Sequence, residues 1–583
     1  MAPDSETAEY DVVIVGGGPV GLLMAYQLRR FGVRACVVEQ YEKETQDAYG
    51  RAIALFPRTT EQLDQLDLIE PMLQLGFACR TSVTYKDGER VMPGRVWTFM
   101  ENIKDTTYDF VLVLRQMYTE AIFREKLESI GASYYQAIQC IDFQVDESAP
   151  LDSHAVTSVF TDKRTGRTFH LKSKYLIGAD GGRSFVRGHA GIPFDGDTTE
   201  DQWIRIDGLV ETDMPLNRSY GAIESQTHGN VLWAPLDYGA TRIGYAYTPE
   251  IAAKYPGGVT EEVAVKEAIE CMKPFKVKFK EVHWWTLYTI GQRIARGFSA
   301  KDRIFLCGDA AHTHSSGAAQ GLNTGIHDAV NLGWKLALQI RGITQDSVLT
   351  TYSPERMTAV QKLIDYDRDI ATLMSRKWPV WYQGDTTEDP YLMLGEIFEQ
   401  AASFNTGLGI SYPANVVNNQ PSPMGLHVVP GARPPDVELT MPGTNQKIRF
   451  QRVTRNVGKF WVVVCTGNIE STRPMVLSLD QYIRAEVPEL KDHEAVGWVT
   501  LTLSVECSPY EAIGMKPFGD TYYDPTNMAH GKFGIEADKG GILVLRPDGL
   551  LGSAGPLEGL WLKEYFSHVL KLSGKKGVNG HKA

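Results

Sequence analysis

The chain is poor in the features that mark several classes of protein. Its seven cysteines, Cys36, Cys79, Cys140, Cys271, Cys307, Cys465 and Cys507, are scattered, odd in number and without a CxxC pair. This argues against a disulfide framework or a zinc site and for a reducing, cytoplasmic setting. No apolar run approaches the roughly 20 residues of a membrane span, so no membrane partner is expected. Positive charge is in deficit: 59 Lys and Arg face 71 Asp and Glu, a net charge of −12. Nucleic acid is therefore not an expected partner either. The opening MAPDSETAEYD is polar and acidic, unlike a targeting peptide. There is no internal repeat.

What is present is an ordinary soluble composition, 43 % hydrophobic and 22 % charged, spread over 583 residues. That length exceeds one core and predicts two or three domains. DVVIV (11–15) reads as a short apolar strand, 19–31 as a helix and ACVVE (35–39) as a second strand. Between the first two, Gly16, Gly18 and Gly21 make GxGxxG. Gly16 permits the tight turn, Gly18 leaves room for a pyrophosphate, and Gly21 lets helix and strand pack closely. The helix N-terminus offers free N–H groups to the phosphates. Glu39, 18 residues after Gly21, is placed to accept from a ribose hydroxyl pair. This motif alone does not separate FAD from NAD.

Two further segments make that choice. GADGGRSFVR (178–187) resembles the DG motif of class A flavoprotein monooxygenases, with Asp180 near the pyrophosphates of FAD and NAD(P)H and Ser184 as a helix cap. RIFLCGDAAH (303–312) resembles the GD motif of that family, which implies that Asp309 binds the FAD ribityl chain. A helix starting near Gly321 or Leu322 then aims its positive end at the flavin, and Asn323 lies in its first turn. The resemblance also implies that Arg115, in VLRQMYTEAI, contacts the pyrophosphate and that Arg51 belongs to the mobile-flavin region. His312 and His314 read as parts of the GD turn, with no metal assigned. The family usually has proline and glycine where this chain has Ser316 and Ala319.

The whole is similar to the phenol 2-monooxygenase branch of the single-component aromatic hydroxylases, most specifically over residues 10–375. The implied fold class is α/β: a Rossmann-like FAD-binding domain, an inserted antiparallel-sheet substrate domain and a C-terminal thioredoxin-like domain. Residues 1–190 and 282–410 would form the first, 191–281 with parts of 80–110 the second, 411–425 a Pro- and Asn-rich linker, and 426–583 the third. Helices are expected over Thr59–Leu68, Met117–Ile130, Asn323–Ile340 and Pro354–Met374. The C-terminal domain has an RPDG turn at Arg546-Pro547-Asp548-Gly549 but no CxxC, so a structural role is assigned to it.

The resemblance implies NADPH or NADH as reductant, O2 as co-substrate, an FAD C4a-hydroperoxide, a phenolic aromatic substrate and a homodimer. Catalytic candidates are Arg242, Tyr245 and Ser316; Tyr220, Trp233, Tyr247, Trp285, Tyr288 and Gln292 are further pocket candidates. The branch's active-site aspartate falls at Ile53, which cannot act as a base. A Baeyer–Villiger oxygenase on an aromatic or polyketide ketone is the alternative. A flavoprotein whose redox state controls a partner is the third reading.

Overall fold

The computed structural model describes residues 7–43, 52–315, 317–420, 425–505 and 508–572. The expected βαβ unit opens the chain as strand β1 (Thr7–Val15), helix α1 (Pro19–Arg30) and strand β2 (Ala35–Val38). Pro19 occupies the first turn of α1, where its missing N–H has no intrahelical partner to lose. Val12, Val13 and Ile14 are fully buried, as strands covered on both faces require. Strand β3 (Ser82–Lys86) leaves for another sheet before the chain returns through helix α2 (Gln116–Ser129). Strands β4 (Ser133–Tyr135), β5 (Ile138–Val145), β6 (Val156–Asp162) and β7 (Thr168–Gly178) follow.

Five long strands come next: β8 (Phe194–Thr212), β9 (Tyr220–Ser225), β10 (Gly229–Pro235), β11 (Thr241–Tyr247) and, after helix α3 (Glu261–Cys271), β12 (Val277–Ala295). The chain then returns through β13 (Ile304–Leu306) and β14 (His312–Thr313) to helices α4 (Gly321–Ile340) and α5 (Tyr352–Met374).

The first sheet runs β13-β7-β1-β2-β4 with these neighbours parallel, and β6 and β5 added antiparallel beside β7. The second runs β14-β12-β8-β11-β10-β9-β3, antiparallel except for β9 against β3. The third, within 438–555, has seven strands and a mixed order. Helix α1 lies along α4, where a Cβ on Gly333 would stand 1.7 Å from Gln27 Nε2. That close approach lets Gln27 reach the carbonyls of Ala329 and Val330.

Two sequence boundaries are corrected. A division at 281/282 cuts β12, a single strand that pairs with β8 from Val277 to Ala295 with three register shifts; the same strand serves the second sheet and, through β14, the segment that follows the GD turn. The stretch read as a linker is anchored between 412 and 418: Tyr412 and Asn418 are buried, and Asn415 and Asn418 each donate to Glu355 Oε1 at 2.9 Å. Asparagine marks loops by composition, yet here its amides compensate a buried carboxylate.

Candidate active site

Gly16 has φ +110°, a region open to glycine, and a Cβ there would stand 2.2 Å from the carbonyl oxygen of Ala179. A Cβ on Gly21 would be 2.0 Å from the Gly16 oxygen, so the turn and α1 are pressed together. Gly18 differs: nothing lies within 4 Å of its Cβ position. It opens on a cavity of about 440 Å³ lined also by Gly16, Glu39, Gln116, Asp180 and Arg183. Glu39 is oriented by two amides, Gly17 N at 2.7 Å on Oε2 and Tyr41 N at 2.9 Å on Oε1.

The DG turn forms the far wall. Asp180 accepts from Ser184 Oγ at 2.5 Å and from Val186 N at 3.1 Å, while Ser184 Oγ caps the next helix by accepting from Arg187 N at 3.0 Å. Arg187 then donates to the Ala310 carbonyl at 2.8 Å, joining the DG turn to the GD turn.

The GD turn is one 3-10 turn, Gly308–Ala310, with the Asp309 carboxylate exposed. Its conformation is held from behind by Asp328, a residue that the sequence reading missed. Asp328 Oδ2 accepts from Gly308 N at 2.8 Å and lies 2.7 Å from His312 Nε2; Oδ1 accepts from Arg356 Nε at 2.6 Å. Burial opposes its ionisation, but the neighbouring Arg356 and His312 hold its carboxyl below the usual carboxylate range. His312 thus serves the turn, and among the described residues no group of three His, Cys, Asp or Glu could hold a metal.

At the start of α4, Gly321 and Leu322 precede the first helical bond, Thr324 N to Gln320 O, so their amides belong to the helix's open end. The Leu322 side chain itself is buried in the core. Asn323 is fully buried: Oδ1 accepts from Phe56 N at 2.9 Å, and Nδ2 donates to Ala54 O at 2.9 Å and to Ala319 O at 3.2 Å. Its side chain therefore staples the 54–56 segment to the helix instead of facing a ligand.

Arg115 also departs from expectation. Its backbone N–H and its Nε donate to the two oxygens of Asp237 at 2.8 Å each, and its Nη1 is 3.2 Å from His283 Nδ1. The guanidinium is paired across to the second sheet, and Gln116 and Glu120 line the cavity in its place. The sequence motif shows the arginine but not Asp237, 122 positions away. Arg51 and Ser316 lie outside the described residues.

The second sheet sorts the remaining candidates by face. Trp203, Tyr220, Tyr288, Ala234 and Ala246 belong to one aromatic cluster with Ile53, Phe56, Trp97, Phe99 and Ala319. Tyr245, Tyr247 and Trp233 point the other way, toward α3. Tyr245 is fully buried there, and its hydroxyl donates to the Ala264 carbonyl at 2.9 Å. It is withdrawn as a catalytic candidate because strand alternation sends it to the far face. Arg242, four residues before Ala246 on the same strand, is on the near face, directly opposite Asp207, with Nε–Oδ1 2.6 Å and Nη2–Oδ2 2.8 Å. Arg205 lies across Gly244 on the same face, where a Cβ would meet its Nη1 at 2.3 Å. Burial pushes the Tyr220 hydroxyl up to about 12, and nearby Arg242 offsets only part of that. Gln292 donates to Asp367 at 2.8 Å.

The residues present suit a flavin dinucleotide: a cradle that a side chain on Gly18 would fill, an oriented acceptor at Glu39, and an exposed carboxylate at Asp309 before an open helix end. A family model described as FAD binding domain matches residues 9–367. The chain is 32 % identical over 441 residues to the 3-hydroxybenzoate 4-monooxygenase of Comamonas testosteroni, covering 72 % of this chain and 68 % of that one. It is 26 % identical over 581 residues to the phenol 2-monooxygenase fsqG of Aspergillus fumigatus, 93 % of each. Among solved structures, the flavin-dependent monooxygenase PieE, in complex with FAD and substrate, matches with a TM-score of 0.71 at 21 % identity, over 97 % of this chain and 100 % of that one. Aklavinone-11 hydroxylase with FAD and aklavinone matches with a TM-score of 0.71 at 20 % identity, over 96 % and 98 %. Nucleotide turn, GD turn and matching family model agree: the chain belongs to the FAD-binding-domain family of FAD-dependent monooxygenases.

Proposed function

We propose that this protein uses NADPH or NADH and O2 to hydroxylate a phenolic aromatic compound. The observation that carries the reading is that Ala319, in the loop leading to α4, packs in the same aromatic cluster as Trp203, Tyr220 and Tyr288 of the second sheet. Flavin loop and aromatic wall therefore share one compartment. The relatives named for phenol and 3-hydroxybenzoate oxidation support a phenolic substrate. When bound, the reduced flavin would supply the electrons that activate O2, from which the inserted oxygen atom comes, the other atom leaving as water.

The chain's own residues do the rest. Gly16, Gly18, Glu39, Asp180 and Asp309 bind the dinucleotide. Trp97, Phe99 and Tyr220 exclude water from the compartment. Arg205 places a guanidinium on the near face of the sheet, beside the Arg242–Asp207 ion pair, favouring the electron-rich phenolate form of a ring. Tyr220 stays protonated and can donate to the substrate oxygen. The proposal includes a homodimer and a cytoplasmic location; the free buried cysteines Cys36, Cys79, Cys140, Cys271, Cys307 and Cys465 support the latter. No helix among the described residues is long and apolar enough to cross a membrane. The C-terminal sheet we read as thioredoxin-like and structural.

A second reading, Baeyer–Villiger insertion next to a ketone, is favoured by Ile53, which is buried among the aromatic cluster and brings no base to that edge. NADPH oxidation and oxygen uptake by purified protein, measured against phenols and aryl ketones, test both. Stimulation by phenols with a new ring hydroxyl seen by NMR is expected. An ester product instead selects the second reading, and background rates for every compound would sink both.

A further inference from the structure

One buried carboxylate joins the substrate sheet, the loop before α4 and helix α5, and no step described above uses it. Asp367, on α5, is fully buried. It accepts from three donors: Ser315 N at 2.6 Å and Gln292 Nε2 at 2.8 Å on Oδ2, and Ser315 Oγ at 2.6 Å on Oδ1. Ser315 Oγ in turn accepts from Gly317 N at 3.0 Å. A Cβ on Gly317 would stand 3.2 Å from Ile370 Cγ2 and 3.3 Å from Met374 Sδ, so this part of the loop is pressed onto α5.

The placement gives these bonds a consequence. Ser315 follows β14 and His314, and the loop continues through Ala319 to the open end of α4. Ala319 has φ +54°, a conformation that an alanine adopts only when its surroundings impose it. Gln292 lies on β12, four residues after Tyr288 of the aromatic wall. A carboxylate taken out of water is costly unless it is fully hydrogen-bonded, and charge-assisted bonds of this length are the strong ones. The same three bonds that satisfy Asp367 thus fix the loop and tie it to the strand that carries the wall.

We infer that Asp367 is a positioning residue for the flavin. Through Ser315 it sets the loop that delivers Ala319 and the α4 amides to the cofactor, and through Gln292 it keeps that loop in register with the aromatic wall. The inference rests on the flavin site described above but not on the identity of the substrate.

The test uses full-length, FAD-loaded, oxidised protein. Hydrogen exchange at the 315 and 317 amides is read by mass spectrometry, together with flavin content, the visible absorption of the bound flavin and its midpoint potential. Asp367→Asn keeps the shape but removes the charge that strengthens the Ser315 and Gln292 N–H bonds, and it sets an NH2 donor against the Ser315 hydroxyl, which now donates to Oδ1. Exchange at both amides is expected to rise about ten-fold or more, with a changed flavin band and potential. Ser315→Ala, which loses the hydroxyl, should move the same readouts in the same direction, and Ser315→Thr, which keeps it, should restore them. The serine pair decides the matter if Asp367→Asn does not fold. Unchanged exchange and an unchanged flavin spectrum in the variants, or Ser315→Thr behaving like Ser315→Ala, would overturn the inference. Wild-type protein that takes up no FAD would refute the flavin site itself; exchange on that apoprotein would still show whether Asp367 holds the loop.

Discussion

The three motif glycines, Gly16, Gly18 and Gly21, look alike in the sequence and do different work. Gly21 is required by the protein itself, since a Cβ would collide with the Gly16 carbonyl. Gly18 is not required by the protein's own packing, since its Cβ position faces open space; on the function proposed here it is the ligand that requires it. Gly18→Val should therefore leave apoprotein stability within about 0.5 kcal/mol of wild type while lowering FAD affinity at least ~100-fold, by loss of close backbone approach. Gly21→Val should cost about 3 kcal/mol or more through overpacking. Thermal unfolding of apoprotein and FAD titration separate the two; a Gly18→Val protein that retains wild-type FAD affinity would refute the cradle. The same contrast explains why residue type misled the reading of Tyr245 and Asn323. A tyrosine in a strand carries no mark of which face it takes until the register is known. An asparagine at a helix start reads as a ligand group until the segment that it clamps is seen.

At the scale of the element, the GD turn depends on a carboxylate that the motif does not contain. Asp328 lies 20 residues beyond Gly308 and meets it only because α4 runs back beneath the turn. Its pKa is depressed in the folded protein, so its contribution is present above the ordinary carboxylate value of about 4 and is lost as pH falls through the lower folded value. FAD release followed by ultrafiltration should therefore begin below about pH 4, and Asp328→Asn should release FAD without that acid dependence. A wild-type release midpoint above pH 5 would contradict this account. The helices were legible in sequence because apolar periodicity fixes them: those expected over Thr59–Leu68 and Met117–Ile130 are observed as Pro57–Gln65 and Gln116–Ser129. Their ends moved by one to three residues, since caps are local contacts that a period does not encode.

At the scale of the molecule, the C-terminal sheet is wired into the flavin domain by buried charge. Arg546 Nη1 donates to Glu355 Oε1 at 2.8 Å and Nη2 to Asp548 Oδ2 at 2.6 Å, and Asp548 Oδ2 accepts from Trp334 Nε1 on α4 at 3.1 Å. Lys335 also reaches Glu355, at 2.7 Å, and burial lowers its pKa to about 8 despite that partner. Glu355 and Arg356 are consecutive on α5: the first holds the C-terminal sheet, the second holds Asp328. Arg546→Met would remove the charged partner 2.6 Å from the buried Asp548, leaving that carboxylate the Trp334 N–H, and would leave Glu355 to Lys335 and its amide donors, at a cost of about 3–5 kcal/mol. A lowered unfolding temperature and a lowered FAD content are expected together. A variant with wild-type melting and full flavin would show the third sheet to be an independent appendage.

By itself the sequence determined the local chemistry: a βαβ glycine turn, two further turns of the flavin site, and helices and strands whose periods follow from which faces must leave water. These depend on contacts within a few residues, and a linear pattern records such contacts. Only the tertiary structure decided which partners the buried charges take. Arg115 meets Asp237, Arg242 meets Asp207, and Asp367 meets Ser315 and Gln292. Such pairs are drawn together across tens to hundreds of residues because a charge excluded from water must find its opposite or its donors wherever packing brings them. Nothing in the spacing along the chain specifies that meeting.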